Sequence, residues 1–193
     1  MNAGSQAEVL ESEYLLREKE MVVRKDQFHV PGTQIHTAAC VLEYPDWVNA
    51  FAVTRDSQVI FVRQYRHAAA AMTLEIPAGW VEPHDQHPEA AIRRELREET
   101  GYIFDQIIPL ISVSPNPGTH NNQIHCFLAL GGADTGSNAL DPDEKIELAL
   151  LSLTEVEHLV ASGTLIGNVH LTCIFYALME LGRLQWSASA HAD

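Results

Sequence analysis

The stretch Arg94-Glu95-Leu96-Arg97-Glu98-Glu99-Thr100-Gly101-Tyr102 decides how this chain is read. A helical pattern runs back from it to Pro88, a proline at a first-turn position, where its missing N–H is no loss. Gly101 reads as the C-terminal cap. The turn Ile76-Pro77-Ala78-Gly79 precedes the helix. Glu95, Glu98 and Glu99 stand at i, i+3 and i+4, which stacks them along one side of a helix. Like charges so spaced repel, so the arrangement asks for a counter-charge, and a divalent cation with oxygen ligands supplies one. At roughly 100° per residue, Glu99 falls between Ile92 and Leu96, the apolar residues that should face the core. A carboxylate aimed inward is costly unless it is paired or coordinates a metal. The competing reading is a solvated helix of mixed charge, whose acids would lie opposite the apolar stripe.

The chain has 193 residues, 46% of them hydrophobic, which suits one domain with an appended arm. It carries 26 acids against 12 Lys plus Arg, a formal charge of −14. A nucleic-acid polymer is therefore not expected as a partner, since phosphate contacts need clustered cations. A small phosphorylated ligand accompanied by a metal stays compatible. No apolar run is long enough for a membrane span, and the polar, acidic start is no secretory signal, so the expected location is the cytoplasm. Cys40, Cys126 and Cys173 show no zinc or redox spacing. Each lies among apolar residues and reads as a buried free thiol.

Outward from the helix, residues 1–45 read as an N-terminal arm with strands, 46–184 as the main domain and 185–193 as a tail. Residues 1–13 form a flexible or helical lead-in, and Tyr14 to Val23 a strand or a short helix. Ile35–Tyr44, Trp47–Val53, Val59–Tyr65 and Thr73–Ile76 have strand composition, with Arg55-Asp56-Ser57 as a turn. Tyr102–Ser112 and Gln123–Leu130 read as strands around a Pro/Gly-rich loop, followed by a long polar loop from Gly131 to Glu144 and a strand Ile146–Leu151. Thr154 and Glu157 have the spacing of a capping box that opens a helix to about Ser162. Val169–Leu181 is a last apolar helix. Strands mixed with three helices predict an α/β fold, a mixed sheet between helices.

The segment Arg94 to Tyr102, with Gly79 ahead of it, resembles the Nudix box, G-x5-E-x7-R-E-U-x-E-E-x-G-U, where U is a bulky aliphatic residue. Tyr102 at the last U is a mild departure. Val62-Arg63-Gln64-Tyr65-Arg66 and Leu74-Glu75-Ile76-Pro77-Ala78-Gly79 resemble the ADP-ribose pyrophosphatase branch of that family. The similarity spans Val59 to Leu130 and implies a Nudix-type α/β/α sandwich with a mixed sheet, plus an N-terminal strand segment. One departure is larger. Counted from Gly79, the first box glutamate falls on Asp85; counted back from Arg94, it falls on Gln86. The loop Glu82–His87 is one residue too long, so that glutamate is missing or shortened, with Glu82 or Asp85 as substitutes.

The resemblance implies Mg²⁺ or Mn²⁺ held by Glu95, Glu98, Glu99 and the carbonyl of Ala78, with a metal-activated water attacking phosphorus. Arg94 is expected to orient a box glutamate, or else to be a surface partner of Glu98. Arg63 and Arg66 are expected diphosphate contacts. Because i and i+3 face opposite ways on a strand, at most one of them meets the phosphates within a subunit. Glu75 lies near the metal or in a salt bridge at the strand edge. In the acidic loop Asp141–Glu147, Glu144 is the expected general base, with Asp143 and Glu147 as competitors and a solvated loop as the alternative. Gly118 and Asn122, in the loop before the Gln123 strand, are expected substrate contacts. Related enzymes often carry an acid where Asn122 stands; an amide cannot act as a base but can hydrogen-bond a ribose or a phosphate. His84, His87, His120 and His125 lie near the presumed site in sequence and read as solvent-exposed rather than as ligands, and Trp47, Tyr65 and Trp80 as core aromatics that could otherwise stack on a base.

The expected activity is hydrolysis of a nucleoside diphosphate linked to a sugar, with ADP-ribose first, giving AMP and ribose 5-phosphate. Other sugar nucleotides or dinucleotides are the near alternative. A nucleotide-binding or regulatory module with a weakened box is the alternative from another class. The resemblance also implies a homodimer paired through Tyr14 to Tyr44.

Overall fold

The structure, a computed structural model, describes residues 7–136, 146–165 and 167–184. They form two compact units, residues 7–46 with 114–123, and 47–113 with the described residues from 124 onward.

The first unit is a three-stranded antiparallel sheet, β1 (Val9–Arg17), β2 (Val22–His29) and β3 (His36–Glu43), in the order β1-β2-β3. The lead-in and the ambiguous segment after it are thus strands, β1 starting at Val9. None of this unit's described apolar side chains is buried, and Val9, Leu10, Tyr14, Leu15, Leu16 and Ile35 are each at least 41% exposed. Its buried charge is Asp26, which accepts from Ser12 Oγ and Arg24 Nε, both at 2.7 Å. Cys40 lies on β3 and is exposed, contrary to the expectation of a buried thiol, because this sheet has no core to receive it. The loop 114–123 joins this unit. Leu42 N donates to Thr119 O at 2.7 Å, and the His120 ring stacks on Tyr44 with centroids 5.4 Å apart.

The second unit holds an eight-stranded mixed sheet with the path β11-β5-β4-β10-β8. It comprises β4 (Trp47–Thr54), β5 (Gln58–Arg66), β6 (Ala71–Glu75), β7 (Ala78–Trp80), β8 (Tyr102–Ile103), β9 (Gln106–Val113), β10 (Ile124–Asp134) and β11 (Glu147–Ser152). The pair β4–β10 is parallel and the rest are antiparallel. Alternate residues of β4 serve opposite faces, as the two-residue strand period requires. Phe51 and Val53 pack with Phe61, Leu128, Cys173 and Ile174 under α2 (Leu153–Ser162) and α3 (Asn168–Glu180). Val48, Ala50 and Ala52 pack with Ile60, Ala91, Ile92 and Leu96 of the other helix layer. This is the expected α/β/α sandwich.

Local details depart from the sequence expectation. The segment taken as one strand from Tyr102 is two, β8 and β9, and Pro109 sits in β9, which among the described residues pairs with β10 alone and can leave a missing N–H unpaired. Strand β10 runs on to Asp134 through Gly131, whose φ of 75° is left-handed. The capping box opening α2 is Ser152 with Glu155, not Thr154 with Glu157. Both pairs have the right spacing, but Glu157 instead accepts from Arg183 Nε at 2.7 Å.

Candidate active site

The expected helix over 88–100 changes character midway. Helix α1 covers Pro88–Glu95 and continues as a π-helical turn over Leu96–Thr100, closed by Gly101 at φ 74°. Such turns widen a helix locally and are frequent at functional sites. His87 caps the start, its Nδ1 accepting from Ala90 N at 3.2 Å. Thr100 Oγ1 donates to the carbonyl of Leu96, a side-chain bond that helps satisfy the widened turn.

The wheel's placement of Glu99 agrees with its burial, at 4% exposure. Its Oε2 accepts from Ala78 N at 3.1 Å. Glu95 lies against Gly79 so closely that a Cβ on Gly79 would overlap its carboxylate. The strand Ala78–Trp80, expected as a bare turn, therefore receives two of the three carboxylates on successive residues. Glu95 Oε1 and Glu98 Oε2 both accept from Arg94 Nη1, at 2.8 and 3.0 Å. Two carboxylate oxygens thus converge on a single cationic atom.

Arg94 is saturated. Besides Glu95 and Glu98, it donates to Trp80 O at 2.9 Å, and its Nη2 donates to Asp85 Oδ2 at 3.0 Å. Burial pulls its pKa down, but hydrogen bonds to Asp85, Glu95 and Glu98 and the charge of Glu95 raise it above the ordinary value. Asp85 also accepts from Glu82 N at 2.9 Å. Burial raises the Asp85 pKa, and this is outweighed by the Arg94 hydrogen bonds, the Glu82 N–H and the charges of Arg94 and His84, so its carboxyl lies below the usual range. Of the two counts through this loop, the geometry puts a carboxylate opposite Arg94 at Asp85. The extra residue is taken up in Gln86–His87, before Pro88. His84 approaches Glu82, Nδ1 to Oε2, at 3.1 Å.

Glu75 lies in a buried polar cluster that the sequence reading missed. It accepts from Arg66 Nε and Nη2 at 3.0 and 2.6 Å and from Thr73 Oγ1 at 2.7 Å, and His170 Nε2 is 3.0 Å away. Burial raises its pKa, but His170, Arg66 and Thr73 overcome that and hold the carboxyl well below the usual range. The strand-edge salt bridge is thus the partnership that the structure shows. His170 is 5% exposed, with its ring edge-on to Trp47 at 5.4 Å. Its one signal in the sequence is a lone histidine within an apolar helix. Arg63 is exposed, opposite Leu74 on β6 and Glu147 on β11. Tyr65 is 58% exposed and so is not a core aromatic. Trp47 and Trp80 face each other across β4 and β7, with ring centroids 6.3 Å apart.

Gly118 and Asn122 belong to the other compact unit. Gly118 N donates to Asn116 Oδ1, and Asn122 Nδ2 donates to Pro45 O at 2.9 Å. Glu144 lies outside the described residues.

The donor set is oxygen only: three glutamates and a strand carbonyl. That suits a hard divalent cation. Among the described residues no three His, Cys, Asp or Glu side chains gather into a finished cage. The fit instead rests on Glu95 and Glu98 sharing one cationic atom beside Gly79, with Glu99 anchored on the neighbouring N–H.

Known proteins resemble the chain over much of its length. A methanol dehydrogenase activator of Bacillus methanolicus is 31% identical over 147 residues, 76% of this chain and 78% of that protein. An ADP-ribose pyrophosphatase of Mycobacterium tuberculosis (strain ATCC 25618 / H37Rv) is 26% identical over 163 residues, 84% of this chain and 78% of that one. A solved structure of an ADP compounds hydrolase superposes with a TM-score of 0.81 over 95% of this chain and 100% of its own, at 17% identity, a likeness of fold. No helix among the described residues is long and apolar enough to cross a membrane. Residues 44–166 match the NUDIX domain, and with the charged helix, Gly79 and the sandwich around them the chain belongs to that family and is a Nudix hydrolase.

Proposed function

We propose that the protein hydrolyses a nucleoside diphosphate joined to a sugar, with ADP-ribose as the first candidate. The observation that carries the reading is the convergence of Glu95 and Glu98 on one cationic atom beside Gly79, with Glu99 buried on Ala78 N. These three carboxylates and the Ala78 carbonyl would hold Mg²⁺ or Mn²⁺, which when bound neutralises diphosphate oxygens and lowers the pKa of a water. Arg94 fixes the directions of Glu95 and Glu98 by charge-assisted hydrogen bonds and is itself fixed by Asp85 and Trp80 O. Glu98 is the box carboxylate with most access to solvent and to a reacting water. Arg63, exposed on β5, is free to meet a diphosphate, whereas Arg66 must share its guanidinium with Glu75. Gly118 and Asn122 remain proposed substrate contacts and Glu144 the proposed base. The matched ADP-ribose pyrophosphatase supports the substrate class.

The test is release of AMP from ADP-ribose, other sugar nucleotides and dinucleotides with Mg²⁺, beside Glu99→Gln. The amide keeps an oxygen for Ala78 N but loses the charge, so turnover should fall by at least about 10–100-fold with the fold intact. A second reading is favoured by the matched methanol dehydrogenase activator: a nucleotide-binding regulator of another enzyme. Tight binding of ADP-ribose with no consumption of any compound would select it. We also infer a homodimer paired through the β1–β3 sheet, because that sheet leaves its apolar side chains exposed.

A further inference from the structure

Beyond the three box acids, the outer flank of the same helix borders a cleft. It encloses about 540 Å³ between Arg93 and Arg97 on the helix side and Tyr102, Ile103, Phe104 and Ile107 on the strand side. At roughly 100° per residue, Arg93 and Arg97 lie about 160° from Glu95, while Arg94 and Glu98 line the edge of the cleft nearest the carboxylates. Its volume is in the range of small-molecule sites, on the order of 300–1,000 Å³.

Cations are scarce in this chain, 12 against 26 acids, yet three arginines meet here. Their availability differs. Arg94 is held by Asp85, Glu95 and Glu98. Arg93 pairs with Glu89 at 2.9 Å and donates to Phe104 O at 3.3 Å. Arg97 is exposed, and its guanidinium has no acidic partner among the described residues. The opposite wall is apolar and firm. The Phe104 ring is pressed against Gly132 so tightly that a Cβ there would strike it, and Ile103 is 54% exposed. The Tyr102 end is acidic: burial first, and then the charges of Asp134 and Asp56, raise its phenol pKa. An anion is therefore repelled from the Tyr102 end and drawn to the Arg97 end, while a neutral ring suits the aromatic wall.

We propose that this cleft binds a mononucleotide, with its phosphate on Arg97 and Arg93 and its base against Phe104, Ile103 and Tyr102. Arg97 shares the π-helical turn with Glu98 and Glu99, and Glu98 also borders the cleft. A ligand that orders Arg97 thus acts on the turn that carries two proposed metal ligands. This makes the cleft an effector site, a consequence that rests on the proposed hydrolysis, whereas the binding does not.

The test is calorimetric titration of the full chain with AMP in EDTA, with adenosine and inorganic phosphate as separate arms. The variants are Arg97→Glu and Phe104→Leu, each checked for an unchanged circular-dichroism spectrum. We expect AMP to bind, adenosine and phosphate each to bind at least tenfold more weakly, and both substitutions to weaken AMP at least tenfold. AMP binding that ignores Arg97→Glu, or no AMP binding, overturns the site. Phosphate binding as tightly as AMP overturns the nucleotide assignment. Turnover of ADP-ribose by the wild-type chain is measured separately, so a failed hydrolytic reading is distinguished from a failed cleft.

Discussion

Gly79 is where one hydrogen atom decides the position of a proposed metal ligand, Glu95. A methyl there would overlap the Glu95 carboxylate, the far end of a flexible side chain. The backbone at Gly79 is not left-handed, so alanine is conformationally acceptable and Glu95 must swing away. Gly79→Ala should therefore cost little stability, within about 0.5 kcal/mol, while turnover falls by about 10–100-fold, as when a ligand loses its support. Urea unfolding beside initial rates separates the two effects; unchanged rates would show that Glu95 does not need its present position. Residue spacing made part of this legible, since the three acids stood out from their intervals, while Gly79 and Arg94 were picked out by the resemblance to the Nudix box. The loop residue opposite Arg94 did not stand out. Two counts through Glu82–His87 disagreed by one position, and only the three-dimensional path of the loop, with Asp85 on Arg94 Nη2, shows where the surplus falls. His170 was hidden for a similar reason: its partner Glu75 is far away in sequence, and no local pattern links them.

Elements were legible in kind and less so in their ends. The apolar period located α1, but the widening at Leu96–Thr100 depends on tertiary bonds, Glu99 to Ala78 N among them, which no periodicity encodes. Strand β10 was cut short because Gly131-Gly132 reads as a loop; the left-handed Gly131 instead lets the strand continue, and Ala133 and Asp134 pair with β8. At α2 two serine/threonine–glutamate pairs competed for one cap. Ser152 won: its Oγ accepts from Glu155 N at 3.2 Å, and Glu155 Oε2 accepts from Ser152 N at 2.7 Å. Ser152→Ala should cost about 0.5–2 kcal/mol, and Thr154→Ala, which removes no cap, well under half of that. Equal losses in chemical denaturation would refute this assignment of the cap.

At the scale of the whole molecule, exposure and charge govern behaviour in solution. A three-stranded sheet with no buried apolar side chain needs a covering surface to be stable, and Val9, Leu10, Tyr14, Leu15 and Leu16 are the exposed apolar side chains that β1 offers to it. Light scattering should give twice the 21.4 kDa chain mass, and Leu15→Lys with Leu16→Lys should lower it to one; a monomeric wild type would end the dimer inference. Acid should unfold the second unit through two of its partly or fully buried carboxylates. Glu75 and Asp85 both lie below their ordinary values of 4.5 and 3.8 in the folded chain. A depressed folded pKa contributes stability that is complete above the ordinary value and lost as pH falls toward the folded one. Stability should thus be insensitive to these two groups at neutral pH and decline below about pH 4.5, more steeply below about pH 4, where the unfolded chain takes up both protons. Glu75→Gln removes one of the two linkages. It should be less stable than wild type at pH 7, because Arg66 then keeps its charge beside a neutral amide, yet lose less stability between about pH 5 and pH 3. Parallel acid slopes for the two proteins in urea titrations would show that the Glu75 cluster does not govern the acid limb.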